Sequence, residues 1–324
     1  MRAARIAGLL AGALLLSACG SPQPPPLNPL FGQRLWVDRQ SPVAVAAEAL
    51  RQSGRGAEAD ALAPIASQPV ATWLTHNDAP RRAKRVVDEA EVADALPVLV
   101  LYHRPHRDCG SYSAGGSRDA ESYARWIAAV ADVIGSRRAL VVLEPDAVPQ
   151  LLTGACATAA DETYAMLATA IERLSANENT LIYLDAGHPG WIDDTDRLAE
   201  ALRRAGIERA DGFSLNVSNF ASDAANEEYG DRLSATLGGL QYVTDVSRNG
   251  NGAPAASAGG VDGWCNPPSA ALGVDPQIGA ERAYAVAKLW IKVPGESDGD
   301  CRPGEPAAGE FWYDYATRLI NQRR

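Results

Sequence analysis

Short apolar runs of strand length alternate with longer amphipathic stretches through most of this chain, and that order admits few folds. Strands are expected over residues 70–74, 98–102, 139–143, 181–184, 213–217, 242–246 and 289–293, each a brief run rich in Val, Leu, Ile and aromatic residues between turn-forming segments. Between them, helices are expected over 119–134, 161–174, 194–205 and 223–237. Each of these opens on an acidic residue, where the free N–H groups of a helix start favour negative charge. Strand and helix in repeated alternation imply a parallel sheet with right-handed crossovers. A barrel and a doubly wound sheet both satisfy that order. No Gly-rich phosphate loop or dinucleotide fingerprint follows any of the strands, which weighs against a nucleotide-binding doubly wound sheet. The 324 residues suit a single α/β barrel domain, a unit that runs to roughly 200 to 250 residues or more.

The formal net charge of -10 excludes a phosphate-neutralising nucleic-acid binder, which needs a basic face. A neutral or cationic substrate is expected instead. At the N-terminus, Arg2 and Arg5 precede an apolar run over residues 6–16 that is too short to span a bilayer and reads as a signal peptide. The run ends in Leu16-Ser17-Ala18-Cys19, which resembles the bacterial lipobox. That resemblance implies lipidation of Cys19 and contact with the membrane through this lipid only; an ordinary secretory peptide cleaved near Ala18 is the plainer alternative. Either reading exports the mature protein. The signal peptide is assigned to residues 1–18 and a Pro-rich tether to 19–30, a composition that stays extended. Removal of Cys19 from the count leaves Cys109, Cys156, Cys265 and Cys301, an even number in an oxidising compartment, which favours disulfides and leaves three pairings open. No C-x-x-C spacing is present, so structural zinc is not expected.

In parallel barrels the reactive groups sit at the C-terminal ends of the strands. Those ends are polar here: Tyr102-His103-Arg104-Pro105-His106-Arg107-Asp108-Cys109, Glu144-Pro145-Asp146, Asp185-Ala186-Gly187-His188, Asn216-Val217-Ser218-Asn219, Asp245-Val246-Ser247-Arg248-Asn249 and Lys292 through Asp298. Together they form a polar crater. Hydrolysis of an acetal needs one carboxylic acid that still holds its proton and a second carboxylate to help water attack. Asp108, Asp146 and Asp298 are the candidates, and crowding of like charges in a partly dry site raises the pKa of the last group to ionise. His103 and His106 with Asp108 make an H-x-x-H-x-D spacing that metal sites use, but no third ligand is defined. Shaping the loop under Tyr102 is the expected role, and no metal or cofactor is expected.

Six segments in order, Arg107-Asp108-Cys109, Leu143-Glu144-Pro145-Asp146, Leu184-Asp185-Ala186-Gly187-His188 with Trp191, Ser247-Arg248-Asn249-Gly250-Asn251-Gly252, Trp264-Cys265-Asn266 and Lys292 to Gly299, resemble glycoside hydrolase family 6. The resemblance runs from about Asn28 to the C-terminus and implies one catalytic domain over residues 31–324. For the fold it implies a distorted (β/α) barrel of about seven parallel strands, one fewer than the usual eight. It also implies β-1,4-glucan hydrolysis by inversion, with Asp146 as general acid, Asp108 as the helper whose charge tunes it, and Asp298 in the place of the base. By the same resemblance Ser113 holds the attacking water, Glu144 supports the acid, and the cystines pair Cys109 with Cys156 and Cys265 with Cys301. Such bridges are worth roughly 2 to 4 kcal/mol each.

A neutral glucan is gripped by aromatic faces and hydrogen bonds. Trp73, Trp191 and Trp264 resemble the family's sugar platforms, and Tyr102, Asp185, His188, Asn216, Lys292 and Glu296 its polar contacts. Trp126, Trp290 and Trp312 fall inside element patterns and are expected in the core, and Arg248 is expected to neutralise inner carboxylates. His103 after Tyr102 departs from the family's usual text. The short irregular stretch after Asp298 favours an open cleft and internal cutting, whereas residues 249–276 offer enough chain to roof part of the groove. The expectation is therefore a monomeric, exported endo-β-1,4-glucanase whose partner is a β-glucan polysaccharide or oligosaccharide. Chain-end cleavage of the cellobiohydrolase type and a non-catalytic glycan-binding lipoprotein are the alternatives. The binder would be expected to lose a carboxylate, and all three are present.

Overall fold

A computed structural model describes residues 27–156, 160–254, 263–279 and 282–323. The signal peptide, Cys19 and most of the tether lie outside the described residues. Six parallel strands follow one another around the sheet in chain order: β1 Thr72–Leu74, β2 Val98–Leu101, β3 Ala139–Leu143, β4 Thr180–Asp185, β5 Gly212–Leu215 and β6 Gln241–Asp245. The short β7, Gln277–Ile278, lies antiparallel on the outer edge of β8, Ala285–Leu289, which itself continues the parallel run beside β6. The sheet then curls back on itself. Val70 pairs in parallel with Trp290, and the Ala71 N–H donates to the Trp290 carbonyl at 3.0 Å. Seven parallel strands thus form the distorted barrel that the family resemblance implies.

Both faces of the strands are buried, which is why they read as continuous apolar runs rather than alternating ones. In β3, Leu140 and Val142 face the barrel interior with Val100, Tyr183 and Val243. Their neighbours Val141 and Leu143 face outward and pack with the helices. Three helices precede the sheet: α1 Pro42–Gln52, α2 Gly56–Ala61 and α3 Ala63–Ala66. The crossovers are α4 Ala79–Val92, α5 Ala120–Ile134, α6 Ala147–Thr153, α7 Ala160–Ser175, α8 Thr195–Arg204 and α9 Asp223–Thr236; α10 Tyr313–Asn321 closes the chain. Trp126 and Trp290 are core residues, and Trp312 is half-buried against the cluster that α10 forms with the first helices.

Helix starts follow the expected chemistry with one shift. Asp119 caps α5 in a reciprocal box with Ser122, and Asp194 caps α8 by accepting from the Arg197 N–H at 2.9 Å. For α9 the cap is Ser222 rather than Asp223. Asp223 instead accepts from Lys288 at 2.6 Å and from the Asn249 amide at 2.7 Å.

Two expected boundaries are corrected. The last strand is 285–289 rather than 289–293, because beyond Leu289 the backbone leaves the ladder with β6: the Ile291 and Lys292 N–H groups donate to the Asp245 carboxylate at 3.2 and 2.9 Å. The tether, expected to run to residue 30, is docked from Asn28 onward. Asn28 donates to the Val286 carbonyl at 2.9 Å and takes the Leu30 N–H at 2.8 Å, which turns Leu30 into the barrel interior, where it is fully buried with Leu96 and Val98. Leu30→Ala is therefore expected to destabilise the fold by about 2 to 4 kcal/mol, read as a lower urea midpoint with unchanged slope. An unchanged midpoint contradicts docking of this segment.

Candidate active site

Three buried carboxylates stand at or just past strand ends and share one arrangement. An ionised group removed from water is costly unless hydrogen bonds replace the lost solvent, and here backbone N–H groups of neighbouring strand ends do so. Glu144, just past β3, accepts from His103 N–H at 2.9 Å and Arg104 N–H at 3.2 Å, both beyond β2. Asp185, the last residue of β4, accepts from Asp146 N–H at 2.9 Å and Gly187 N–H at 3.2 Å, and from the Ser214 hydroxyl at 3.1 Å. Asp245, the last residue of β6, accepts from Ser218 and Ser247 N–H groups, both at 2.9 Å, besides those of Ile291 and Lys292.

Asp146 is placed by this scaffold. Its backbone is left-handed, with φ 70°, and it begins α6 with its own N–H spent on Asp185. Burial pushes its carboxyl well above the usual carboxylate range, and the charges of Asp185 and then Asp108 push it further, while Arg104 opposes them. Such a group keeps its proton where exposed carboxylates have lost theirs. Asp185 is itself pushed up to about 6, first by burial.

Asp108 lies in a loop with left-handed residues at His106, Asp108 and Cys109. Its Oδ2 accepts from Ser113 N–H at 2.8 Å and its Oδ1 from the Gln150 amide at 3.5 Å. Burial raises its pKa, against the Ser113 hydrogen bond and the charges of Arg104 and Arg107. Arg107 ties the loop down: Nε donates to the Ser113 carbonyl at 2.7 Å, Nη1 to Thr75 and Tyr102 carbonyls at 2.9 and 2.8 Å, and the guanidinium lies 5.0 Å from the Tyr102 ring centre. Where the loop returns, only glycine fits at Gly116, because φ is +96° and a Cβ would stand 1.9 Å from the Arg104 carbonyl oxygen. The Cys109–Cys156 bridge fastens the same loop to the chain after α6, and Cys265–Cys301 joins the two loops around Asp298. Both pairings are the expected ones.

Asp298 is buried among cations. Its Oδ2 accepts from Arg248 at 2.8 Å and from Asn266 N–H at 2.9 Å, and Lys292 Nζ stands 3.8 Å from Oδ1. Asn266 completes a reciprocal pair by accepting the Asp298 N–H at 2.7 Å. Arg248 is fully buried against Phe220 and points into this pair rather than into open space.

These groups surround one cleft of about 890 Å³. Asp108, Asp146 and Asp298 line it, as do Trp73, Tyr102, Ser113, His188, Trp191, Trp264, Lys292 and Glu296. Burial lowers His188 to about 4, and its Nδ1 accepts from the Gly190 N–H at 3.2 Å, so the neutral ring carries its proton on Nε2. Trp264 is 39% exposed and meets Tyr112 edge-on at 5.8 Å. Two expected sugar contacts do not line the cleft. Asp185 spends both oxygens on the scaffold, and Asn216 is a turn residue, with φ 64°, that donates to the Asp245 carbonyl at 2.8 Å and accepts the Ala221 N–H at 3.0 Å. Ser218 and Asn219 line the cleft just beyond it.

His103 and His106 do not converge on Asp108 as a ligand set. His103 is buried, bonded to the Thr75 carbonyl at 2.9 Å and Asn77 Oδ1 at 3.3 Å, and stacked on Trp126 at 4.7 Å, whereas His106 is exposed. Sequence reasoning missed Gln150 and Arg104. Gln150 stands four residues after Asp146, the spacing that puts two side chains on one helical face, so a signal for it existed. Arg104 donates to Gln150 Oε1 from beneath, a contact between distant segments with no local signature.

A family profile, Glycosyl hydrolases family 6, matches residues 30–323. The chain belongs to that family. Endoglucanase A of Cellulomonas fimi is 39% identical over 277 residues, which cover 84% of this chain and 58% of that one. Endoglucanase 1 of Streptomyces halstedii is 39% identical over 279 residues, 82% of this chain and 83% of that one. The chain thus spans little more than half the length of the Cellulomonas protein. Among solved structures, the endoglucanase Cel6 from Mycobacterium tuberculosis, in complex with methyl-cellobiosyl-4-deoxy-4-thio-β-D-cellobioside, superposes with TM-score 0.84 at 39% identity. That likeness covers 91% of this chain and 99% of that one. Relatives named as cellobiohydrolase or exoglucanase match at 27 to 29% identity.

The charge on Asp185 helps to keep Asp146 protonated, so removing it lowers the pKa of the Asp146 carboxyl. Asp185→Asn is expected to move the basic limb of the kcat/KM profile on a soluble β-glucan to lower pH. A basic limb that stays in place contradicts the coupling.

Proposed function

We propose that the protein hydrolyses internal β-1,4-glucosidic bonds of β-glucan with inversion at the anomeric carbon. The observation that carries this reading is Asp146: a carboxyl held protonated by burial and two neighbouring anions, at the wall of a cleft that also carries exposed indole faces. A sugar ring offers flat C–H faces to Trp73, Trp191 and Trp264 and hydroxyls to His188, Lys292 and Glu296.

In the reaction, Asp146 gives its proton to the glycosidic oxygen as the bond from that oxygen to the anomeric carbon breaks. Positive charge develops on the sugar, and the Asp108 carboxylate stabilises it. Water attacks the opposite face of the ring and its proton passes to Asp298, directly or through a further water. Because Oδ2 of Asp298 is occupied by Arg248 and Asn266, Oδ1 is the oxygen that receives it. Ser113, whose N–H already fixes Asp108, holds the water. The greater similarity to relatives named endoglucanase supports internal cutting over chain-end action. Export through the leader of residues 1–18, with a lipid on Cys19 as the only membrane contact and the protein acting as a monomer on the cell envelope, completes the reading.

Asp146→Asn is expected to lower kcat on carboxymethylcellulose by roughly 10²- to 10⁴-fold with KM little changed. Reducing-sugar release equal to wild type would remove Asp146 from the catalytic role. Proton NMR of freshly made product from the wild type is expected to show the α-anomer first. The β-anomer appearing first rules out inversion.

A further inference from the structure

Helix α4 starts just past the strand that carries Trp73 and presents Arg81, Arg82, Lys84 and Arg85 in its first two turns. Three of these cations have carboxylate partners: Arg81 with Asp78 at 3.1 Å, Lys84 with Asp88 at 2.5 Å, and Arg85 with Asp38 at 2.8 Å and Glu89 at 3.1 Å. The Arg82 side chain has no hydrogen bond or ion pair among the described residues. It is half-buried and lines the same cleft as Trp73, Asp38 and Ser41. Its charge reaches the buried Glu296 carboxylate, whose rise on burial it offsets together with Lys292.

An unpaired arginine on a surface helix ordinarily lays its stem on apolar surface and leaves its head in water. Here the residue lines a cleft already supplied with an indole and a carboxylate acceptor. Trp73 is held in place by its Nε1 donation to the Ile291 carbonyl at 2.8 Å and stands edge-on to Tyr102 at 5.6 Å. A guanidinium offers a planar fork of donors that matches two neighbouring hydroxyls. Asp38 is not available as a competing partner, since both its oxygens are bound by Arg85.

We propose that Arg82 forms a further glucosyl subsite, one sugar beyond Trp73 at the end of the cleft bounded by the exits of β1 and β8, and that it sets the preference for longer chains. This rests on the reading that the cleft holds a β-glucan. The subsite takes a neutral sugar: Arg82 donates to two adjacent hydroxyls, and Glu296 accepts from the ring on Trp73 that precedes it.

The test is calorimetric binding of cellotetraose, cellopentaose and cellohexaose to Asp146→Asn protein, with and without Arg82→Ala. Affinity is expected to rise with each added sugar in the parent. The second substitution is expected to weaken cellohexaose about tenfold and cellotetraose far less, the size of one lost charge-assisted contact. Arg82→Lys, which keeps the charge without the fork, is expected to recover only part of the loss. Equal weakening at every length, or none at any, overturns the subsite. Hydrolysis of cellohexaose by the wild type is read separately, so failure of the enzymatic reading is distinguished from failure of this one.

Discussion

Backbone N–H groups donated to buried carboxylates at the strand ends hold this site together. Glu144, Asp185 and Asp245 each tie the turn after one strand to the end of its neighbour. Parallel strands end in unpaired amides, and a side-chain carboxylate is the acceptor best able to satisfy several of them at once. The same bonds sustain the left-handed backbone at Asp146 and Ser218, φ 70° and 59°, conformations that non-glycine residues hold only when their surroundings compel it. The scaffold therefore fixes where the reactive groups point.

It also divides the carboxylates electrostatically. Asp146 is half-buried beside two carboxylates, Asp185 and Asp108. Asp298 is buried beside two cations, Arg248 at 2.8 Å and Lys292 at 3.8 Å. The first environment favours the protonated form of Asp146, and the second ties Asp298 to Arg248 and the Asn266 N–H. Gln150 joins the two sides of the first group, because it donates to Asp108 and accepts from Arg104. The Cys109–Cys156 bridge binds the same two segments covalently.

Much of this was legible before the fold was seen. The β3 run of Ala139–Leu143 has only apolar residues because both its faces are buried, and its bounds were readable from that run alone. Asp119 and Asp194 announced helix starts through their capping chemistry. The β8 shift was not readable, since residues 285–293 are apolar almost throughout and the strand ends where the distant Asp245 captures the amides. Likewise, the direction in which Asp185 and Asn216 point depends on partners across the sheet. Asp185 is bonded to the Asp146 N–H rather than lining the cleft, and beyond Asn216 the cleft-lining positions are Val217, Ser218 and Asn219. Arg82 carried no local signal either. It stands out only once its three basic neighbours are seen to be paired.

The central claim is that the strand-end scaffold keeps Asp146 protonated at the pH where the protein works. Carbon-13 NMR of labelled aspartate carboxyls, assigned by the resonance missing in Asp146→Asn, reads that proton directly. The account expects the Asp146 carboxyl to remain in its protonated form as the exposed aspartates titrate, and to ionise only at distinctly higher pH. Titration of Asp146 together with the exposed carboxylates would contradict it.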